Sequence, residues 1–280
     1  MTERPFLARL TVRGALRVPE ITVYFWVAKA LSTAMGESTS DYLVHKLHPV
    51  PAVGLGFVGF VAALALQLSM RRYVAWTYWL AVVMVGVFGT MAADVLHVGL
   101  GVPYAASSAL YGAALLAVFV GWQRTERTLS IHCVDTLRRE AFYWAAVVAT
   151  FAMGTAVGDL TAVSLHLGYL TSGLLFAGVI AVPAIGYRWF GWNSVLSFWF
   201  AYVATRPLGA SFADWMGKPR DLGGLGWGQG SVTLALALVI VCLVTYLALT
   251  HRDVQAAGRL AAPERATRRG PLEPSPEGAD

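Results

Sequence analysis

Four aspartates occupy equivalent positions in the sequence, each fifteen residues after a tryptophan and five residues after a glycine. The four sets are Trp26–Gly36–Asp41, Trp79–Gly89–Asp94, Trp144–Gly154–Asp159 and Trp199–Gly209–Asp214. All four aspartates fall in or at the end of apolar stretches, where an ionisable residue indicates a functional site. Carboxylate oxygens bind protons and hard cations such as Mg²⁺ or Mn²⁺. The pattern therefore predicts a pathway for a proton or a metal cation.

The first apolar stretch adds further polar residues to one helical face. Thr33, Glu37 and Asp41 follow one another at intervals of four residues, which places them on one side of a helix. This side is expected to face a cavity or the other repeats rather than lipid. Lys29 lies two turns before Glu37, so a Lys29–Glu37 pair that only joins helices remains an alternative.

Arg206 is the second basic residue inside an apolar stretch, and Pro207 follows it. Proline interrupts the helical hydrogen-bond ladder and frees a carbonyl oxygen, which is tolerated beside a cavity. Arg206 could neutralise Glu37 or an aspartate, gate a pathway, or form a purely structural ion pair. Glu37 and the four aspartates outnumber Lys29 and Arg206 by three charges, so bound protons or a cation are expected to balance them.

Other chemistry is weakly indicated. His97 lies one turn after Asp94, a spacing that could share a metal ion. No nucleotide-binding or hydrolase motif with its required context is present, and no cofactor is expected.

The composition of the chain indicates whether water or lipid surrounds it. Of 280 residues, 57% are hydrophobic and only 13% are charged, with a mean hydropathy of +0.59. Soluble domains carry about a quarter charged residues. A disordered chain, a nucleic-acid-binding domain and an ordinary cytosolic enzyme are therefore excluded, despite a net charge of +5. A lipid bilayer is the expected surrounding.

Eight stretches are long enough to span a membrane as helices. They cover about 20–43, 51–70, 74–96, 104–122, 140–160, 170–187, 194–215 and 231–250. Basic residues cluster at both termini and in alternate connections, whereas Lys46, Lys218 and Arg220 stand on the other side. The positive-inside rule then predicts a multi-pass protein of the bacterial inner membrane with both termini in the cytoplasm.

The two ends are expected to lie outside the membrane domain. Residues 1–19 form a basic cytoplasmic segment, and residues 251–280 a disordered cytoplasmic tail. The first 35 residues have features of a signal peptide, but cleavage there would remove one of four equivalent units.

The membrane domain of residues 20–250 divides into four repeats of two helices, at about 20–70, 73–122, 140–188 and 193–250. Two crossings per unit give all four repeats the same orientation. The expected fold is an all-α bundle with quasi-fourfold symmetry, and a pairing into two four-helix halves is equally compatible. Each tryptophan could belong to an interfacial belt, and each glycine could mark close helix packing.

The repeated tryptophans, with their glycine and aspartate partners, resemble those of a family of bacterial membrane proteins. That family has four tandem copies of a repeat of unknown function, each with two transmembrane segments and a characteristic tryptophan. The resemblance covers about residues 20–250 and implies an integral protein of the bacterial inner membrane. It implies no chemistry, so the function depends on the residues themselves.

Three functions remain open. The first is a secondary transporter of a small cation that uses the four aspartates and Glu37. The second carries an organic anion or amphipathic metabolite through Lys29 and Arg206. The third is a membrane-embedded enzyme or accessory subunit, which is less favoured. The expected partners are the bilayer and a small cation or small molecule, without nucleic acid and with a homo-oligomer left open.

Overall fold

The computed structural model of the chain describes residues 16–255. Its helices are α1 (Val23–Leu47), α2 (Pro49–Ser69), α3 (Ala75–Asp94), α4 (Tyr104–Glu126), α5 (Leu137–Asp159), α6 (Tyr169–Phe190), α7 (Ser194–Gly217) and α8 (Gln229–Thr250). The described residues form no β-strand. The predicted all-α bundle of eight helices is confirmed. Predictions for residues 1–15 and 256–280 lie outside the described residues.

The helix ends follow from local sequence. α1 and α2 are joined by His48 alone, with positive φ, and Pro49 begins α2 because proline suits the first helical turn. The side chain of Asn193 accepts hydrogen bonds from the amides of Val195 and Leu196, which starts α7. Gly191 ends α6 in the left-handed conformation that glycine adopts without strain.

Six helices are long and apolar enough to cross a membrane, namely α2, α3, α4, α5, α6 and α8. The two others, α1 and α7, contain the polar positions of the first and last repeats, which include Lys29, Glu37 and Arg206. These side chains are buried within the bundle. The surrounding helices therefore cover these polar side chains.

The odd-numbered helices form a closed inner ring. α1 packs against α3, α3 against α5, α5 against α7, and α7 against α1. The outer helices α2, α4 and α6 each pack most extensively against the inner helix of the next repeat, and α8 packs against α1. This cyclic order is the quasi-fourfold arrangement, rather than two separate four-helix halves.

Burial separates the two layers. In the most apolar segments of α3 and α5, 61% of residues are buried, against 17–28% in α2, α4, α6 and α8. Leucines on the outer helices are exposed, among them Leu55, Leu116, Leu174 and Leu238. An exposed apolar surface of this extent is the surface that a membrane protein presents to lipid.

The repeat glycines are the contact points of the inner ring. A Cβ atom added at any of them would meet the next inner helix, through the pairs Gly36 with Gly86, Gly89 with Phe151, Gly154 with Arg206, and Gly209 with Thr33. Each partner lies seven residues after the tryptophan of the next repeat. The glycine therefore lets neighbouring inner helices approach closely, and the last repeat closes on the first.

The repeat tryptophans form an aromatic layer with the residues before them. The aromatic residue before each tryptophan contacts the tryptophan of the next repeat, with ring centroids 5.8 Å apart for Phe25–Trp79, 5.5 Å for Tyr78–Trp144, 6.1 Å for Tyr143–Trp199 and 5.8 Å for Phe198–Trp26. Trp79, Trp144 and Trp199 are buried. These tryptophans pack inside the bundle and do not form an interfacial belt.

Three segments meet beneath this layer, and we call them the terminal cap: residues 16–20, 131–134 and 251–255. Their main-chain bonds join Arg17 N to Val134 O (3.1 Å), Tyr73 N to Leu16 O (2.9 Å) and Glu20 N to Asp253 O (2.7 Å). Val18, Val134 and Asp253 are buried. The segments predicted as a basic N-terminus and a disordered tail thus include packed residues where they join the bundle, and both ends of the described chain lie on the same side.

Candidate functional site

The centre of the inner ring is lined in layers by equivalent positions of the four repeats. Counting from each tryptophan, positions +3, +7, +11 and +15 share one helical face. Position +3 holds Lys29, Val82, Val147 and Tyr202; position +7 holds Thr33, Gly86, Phe151 and Arg206; position +11 holds Glu37, Thr90, Thr155 and Ala210; position +15 holds the four aspartates. Every residue at the first three positions is buried. We call this face the axial face.

An ion pair with two threonines occupies the middle of the axis. Arg206 Nη2 donates to Glu37 Oε2 at 2.6 Å and to Thr155 Oγ1 at 2.7 Å, and it also contacts Thr90 Oγ1. Thr90 donates in turn to Glu37 Oε2 at 3.3 Å. All four inner helices therefore converge on one guanidinium nitrogen. The contact from α7 to Thr90 crosses to the opposite helix of the ring.

Lys29 lies one layer nearer the terminal cap and has no carboxylate partner. Its Nζ is 4.0 Å from the ring centroid of Phe151 and 4.3 Å from that of Tyr202, which are cation–π contacts. The side chain is fully buried, and Nζ forms no hydrogen bond within residues 16–255. The Lys29–Glu37 pair considered from the sequence is not formed, because Glu37 binds Arg206 instead.

Thr33 packs where the ring closes between the first and last repeats. Its hydroxyl donates to Ala30 O at 2.7 Å and lies 3.4 Å from Thr205 O on α7. α7 continues as one helix through Pro207. Thr33 thus contributes helix contacts, and its hydroxyl is already engaged by main-chain carbonyl groups.

Two of the four aspartates share a lysine that follows α7. Lys218 Nζ contacts Asp41 Oδ2 and lies 3.5 Å from Asp214 Oδ1, while Gln229 Nε2 donates to the same two carboxylates at 2.9 and 3.3 Å. Burial by itself would lower the pKa of Lys218, but the carboxylates of Asp214 and Asp41 outweigh it and raise that pKa above the usual lysine value. Lys218 is therefore an ammonium held between two aspartates.

The other two aspartates end their helices differently. Asp94 is followed by the π-helical turn Val95–Gly99, and Asp159 by the π-helical turn Leu160–Ser164. Both side chains are half-buried and form no hydrogen bond or ion pair with another described residue. Local π-helical turns are frequent at functional sites. The structure thus divides the four aspartates into a lysine-bound pair and a pair without partners, both at the end of the bundle that we call the aspartate end.

The histidine predicted near Asp94 is engaged elsewhere. His97 Nδ1 is 2.8 Å from Val102 O, and the ring stacks on Tyr104 with centroids 3.5 Å apart. Across residues 16–255, no three His, Cys, Asp or Glu side chains lie close enough together to hold a metal ion. A metal site shared by His97 and Asp94 therefore gains no support from the geometry.

The four repeats of the chain match a known family of repeats. The family described as Repeat of Unknown Function (DUF347) matches the chain four times, at residues 24–73, 77–128, 142–191 and 197–253. The chain belongs to the DUF347 repeat family. The predicted resemblance to a family with four tandem copies of a repeat of unknown function is thereby confirmed. No curated protein and no solved structure matches the chain.

The DUF347 repeats of this chain share their packing residues and differ along the axial face. The aromatic pair, glycine and aspartate recur in every copy, whereas position +7 carries threonine, glycine, phenylalanine and arginine in turn. Sequence reasoning missed Thr90, Thr155, Phe151 and Tyr202 as axial residues. Their spacing from the repeat tryptophan, in register with Lys29 and Glu37, is the signal that identifies them.

Lys218 and Gln229 were also missed, for a different reason. Lys218 follows the last inner helix and Gln229 begins α8, so neither belongs to the tryptophan–glycine–aspartate pattern. The loop between them folds back on the end of α7, with Leu225 N bonded to Trp215 O at 2.7 Å and Trp227 N to Met216 O at 3.1 Å. Only this return brings Gln229 beside Asp41 and Asp214.

Proposed function

We propose that the protein is a secondary transporter of a small cation, coupled to protons, in the bacterial cytoplasmic membrane. The observation that supports this most directly is the continuous polar face along the quasi-fourfold axis. It begins at the four aspartates, passes the Glu37–Arg206 pair and reaches Lys29. Polar residues this deep in a membrane bundle are costly and characterise substrate and ion pathways.

The charge balance favours a cation at the aspartate end. Lys218 offsets one negative charge of the Asp41–Asp214 pair, and Asp94 and Asp159 form no ion pair with any described residue. Half-buried carboxylates without partners are stabilised by protons or by a bound cation. Oxygen ligands favour hard cations such as Mg²⁺ and Mn²⁺. Exchange of the cation for protons on these carboxylates would couple the two movements.

The aspartate end is proposed to face outward and the terminal cap to face the cytoplasm. Arginines at the ends of α2, α4 and α6 flank the terminal side, including Arg71, Arg72, Arg124 and Arg188. Such residues are retained in the cytoplasm. The aromatic layer and the terminal cap close the cytoplasmic end of the axis, so transport requires their rearrangement.

Replacing all four aspartates by asparagine is expected to lower Mn²⁺ uptake into proteoliposomes by about tenfold or more, since the carboxylates are the proposed ligands. Uptake would be measured with an entrapped Mn²⁺-sensitive dye and an imposed proton gradient. Asp221→Asn is the matched control, because Asp221 is an exposed aspartate after α7. The experiment is repeated with the opposite proton gradient and with Mg²⁺. If the quadruple variant and the wild type show equal uptake in all of these conditions, the proposal is wrong.

Lys218→Gln is expected to lower the KM for the transported cation by about tenfold, because the tethered ammonium no longer competes for the Asp41 and Asp214 carboxylates. The measurement is initial uptake against Mn²⁺ concentration in the same liposomes. Lys46→Gln is the control, since Lys46 is exposed near the end of α1. An unchanged or raised KM would show that Lys218 does not compete with the cation.

A further inference from the structure

The middle of the axis contains hydrogen-bond donors that no residue of the described chain accepts. Lys29 Nζ, Arg206 Nε and Arg206 Nη1 are all buried without a hydrogen-bond partner. Lys29 and Arg206 are each fully buried. Buried polar groups are nearly always hydrogen-bonded, and an unpaired buried charge is far more costly than an unpaired neutral group. These donors therefore indicate an acceptor that the chain itself does not supply.

The charges indicate what kind of acceptor fits. Lys29 and Arg206 stand against a single carboxylate, Glu37, whose Oε2 already binds Arg206. The aspartates lie about one helical turn beyond Glu37, about 6 Å further along the axis. Two of them are bound by Lys218. Water would satisfy these hydrogen bonds but could not balance the charge of an ammonium at Lys29. A ligand with one negative charge would accept these hydrogen bonds and also balance that charge.

The ring of Phe151 forms an apolar surface beside Lys29 and Arg206. Lys29 Nζ lies 4.0 Å and Arg206 Cζ 5.4 Å from the centroid of its ring, so the two cations approach the same apolar surface from different inner helices. The other DUF347 repeats place threonine, glycine or arginine at this position. An apolar ring beside two cations favours a small, weakly hydrated anion or a short carboxylate over a multiply charged oxyanion.

We propose that Lys29 and Arg206 bind a monovalent anion, a halide or a short-chain carboxylate, beside the ring of Phe151. The inference rests on the proposed transport pathway only for the route by which the anion reaches the centre. Cation exchange at the aspartate end and anion binding at Lys29 and Arg206 would then balance charge along one axis.

The test uses the purified full chain in detergent, with its thermal midpoint followed by tryptophan fluorescence. Sodium chloride and sodium acetate are titrated separately against sodium sulfate at constant ionic strength. A ligand that binds only the folded protein raises the midpoint in a saturable way. We expect chloride or acetate to do so and sulfate not to. Chloride alone would identify a halide site, and acetate alone a carboxylate site.

Lys29→Gln and Lys29→Met are expected to weaken the apparent Kd of the anion by about tenfold, equivalent to about 1.4 kcal/mol. Lys46→Gln is the control and should bind the anion as the wild type does, because Lys46 is exposed near the end of α1. The proposal is overturned if neither anion raises the midpoint, or if either Lys29 variant that folds responds as the wild type does. The quadruple asparagine variant separates the two proposals, since it should lose cation uptake and keep the anion-dependent rise.

Discussion

Gly36→Ala is expected to destabilise the bundle by about 3 kcal/mol, the upper end of the range for overpacking. A Cβ atom at residue 36 would lie 2.8 Å from both the Cα and the carbonyl carbon of Gly86. Since both contacts are main-chain atoms, no rotamer change relieves them, and α1 and α3 would have to separate. The measurement is the thermal midpoint of the purified protein in detergent, followed by tryptophan fluorescence.

Two other helical glycines provide matched controls for Gly36→Ala. Gly54 on α2 and Gly178 on α6 have nothing within 4 Å of an added Cβ. Alanine at either position should leave the midpoint unchanged or raise it slightly, because alanine favours helix by about 0.5–1 kcal/mol. If Gly36→Ala behaved as these controls do, close contact between α1 and α3 at Gly36 would not be needed for stability.

Arg206→Gln is expected to lower the stability by about 3–5 kcal/mol, because it leaves the buried Glu37 carboxylate without a positive partner. The same guanidinium nitrogen also holds Thr90 and Thr155, so hydrogen bonds to three inner helices are lost together. The thermal midpoint and the yield of monodisperse protein in detergent would both report the loss.

The control for Arg206→Gln is Arg138→Gln. Arg138 also pairs with a glutamate, Glu126, but its side chain is 68% exposed, and exposed pairs contribute about 0–1 kcal/mol. The double variant Arg206→Gln with Glu37→Gln should recover part of the lost stability, since no uncompensated carboxylate remains. A double variant less stable than Arg206→Gln alone would contradict this account of the pair.

Much of the fold could be predicted because it is repeated in the sequence. The eight helices follow from the apolar stretches of the sequence, although only six of them are apolar enough to cross a membrane. The tryptophan–glycine–aspartate spacing indicates that the four units share one structure. Hydropathy, however, cannot tell which helices adjoin, so the cyclic ring remained one of two alternatives. The contact of Gly36 with Gly86, and its equivalents around the ring, resolves the choice through the packing of backbones that are distant in sequence.

The site could be predicted less completely, for a physical reason. Spacing along one helix shows which residues share a face, and it groups Thr33, Glu37 and Asp41, whose side chains contact α7 or the lysine that follows it. It does not show what lies opposite. Arg206 reaches Glu37 from α7 and Lys29 contacts Phe151 on α5, so the Lys29–Glu37 pair considered from one helix alone is not formed. The π-helical turns after Asp94 and Asp159 have no comparable sequence signal.

The cyclic packing of inner and outer helices also explains why four copies are joined in one chain. Each outer helix covers the inner helix of the next copy, so an isolated copy would leave both of its helices largely uncovered. Four identical subunits could close the same ring, but they would place four identical side chains at every level of its centre. Four arginines at the level of Arg206 would repel one another. Gene fusion removes this constraint, because each copy can then diverge at its axial residues while the shared packing residues keep the ring intact.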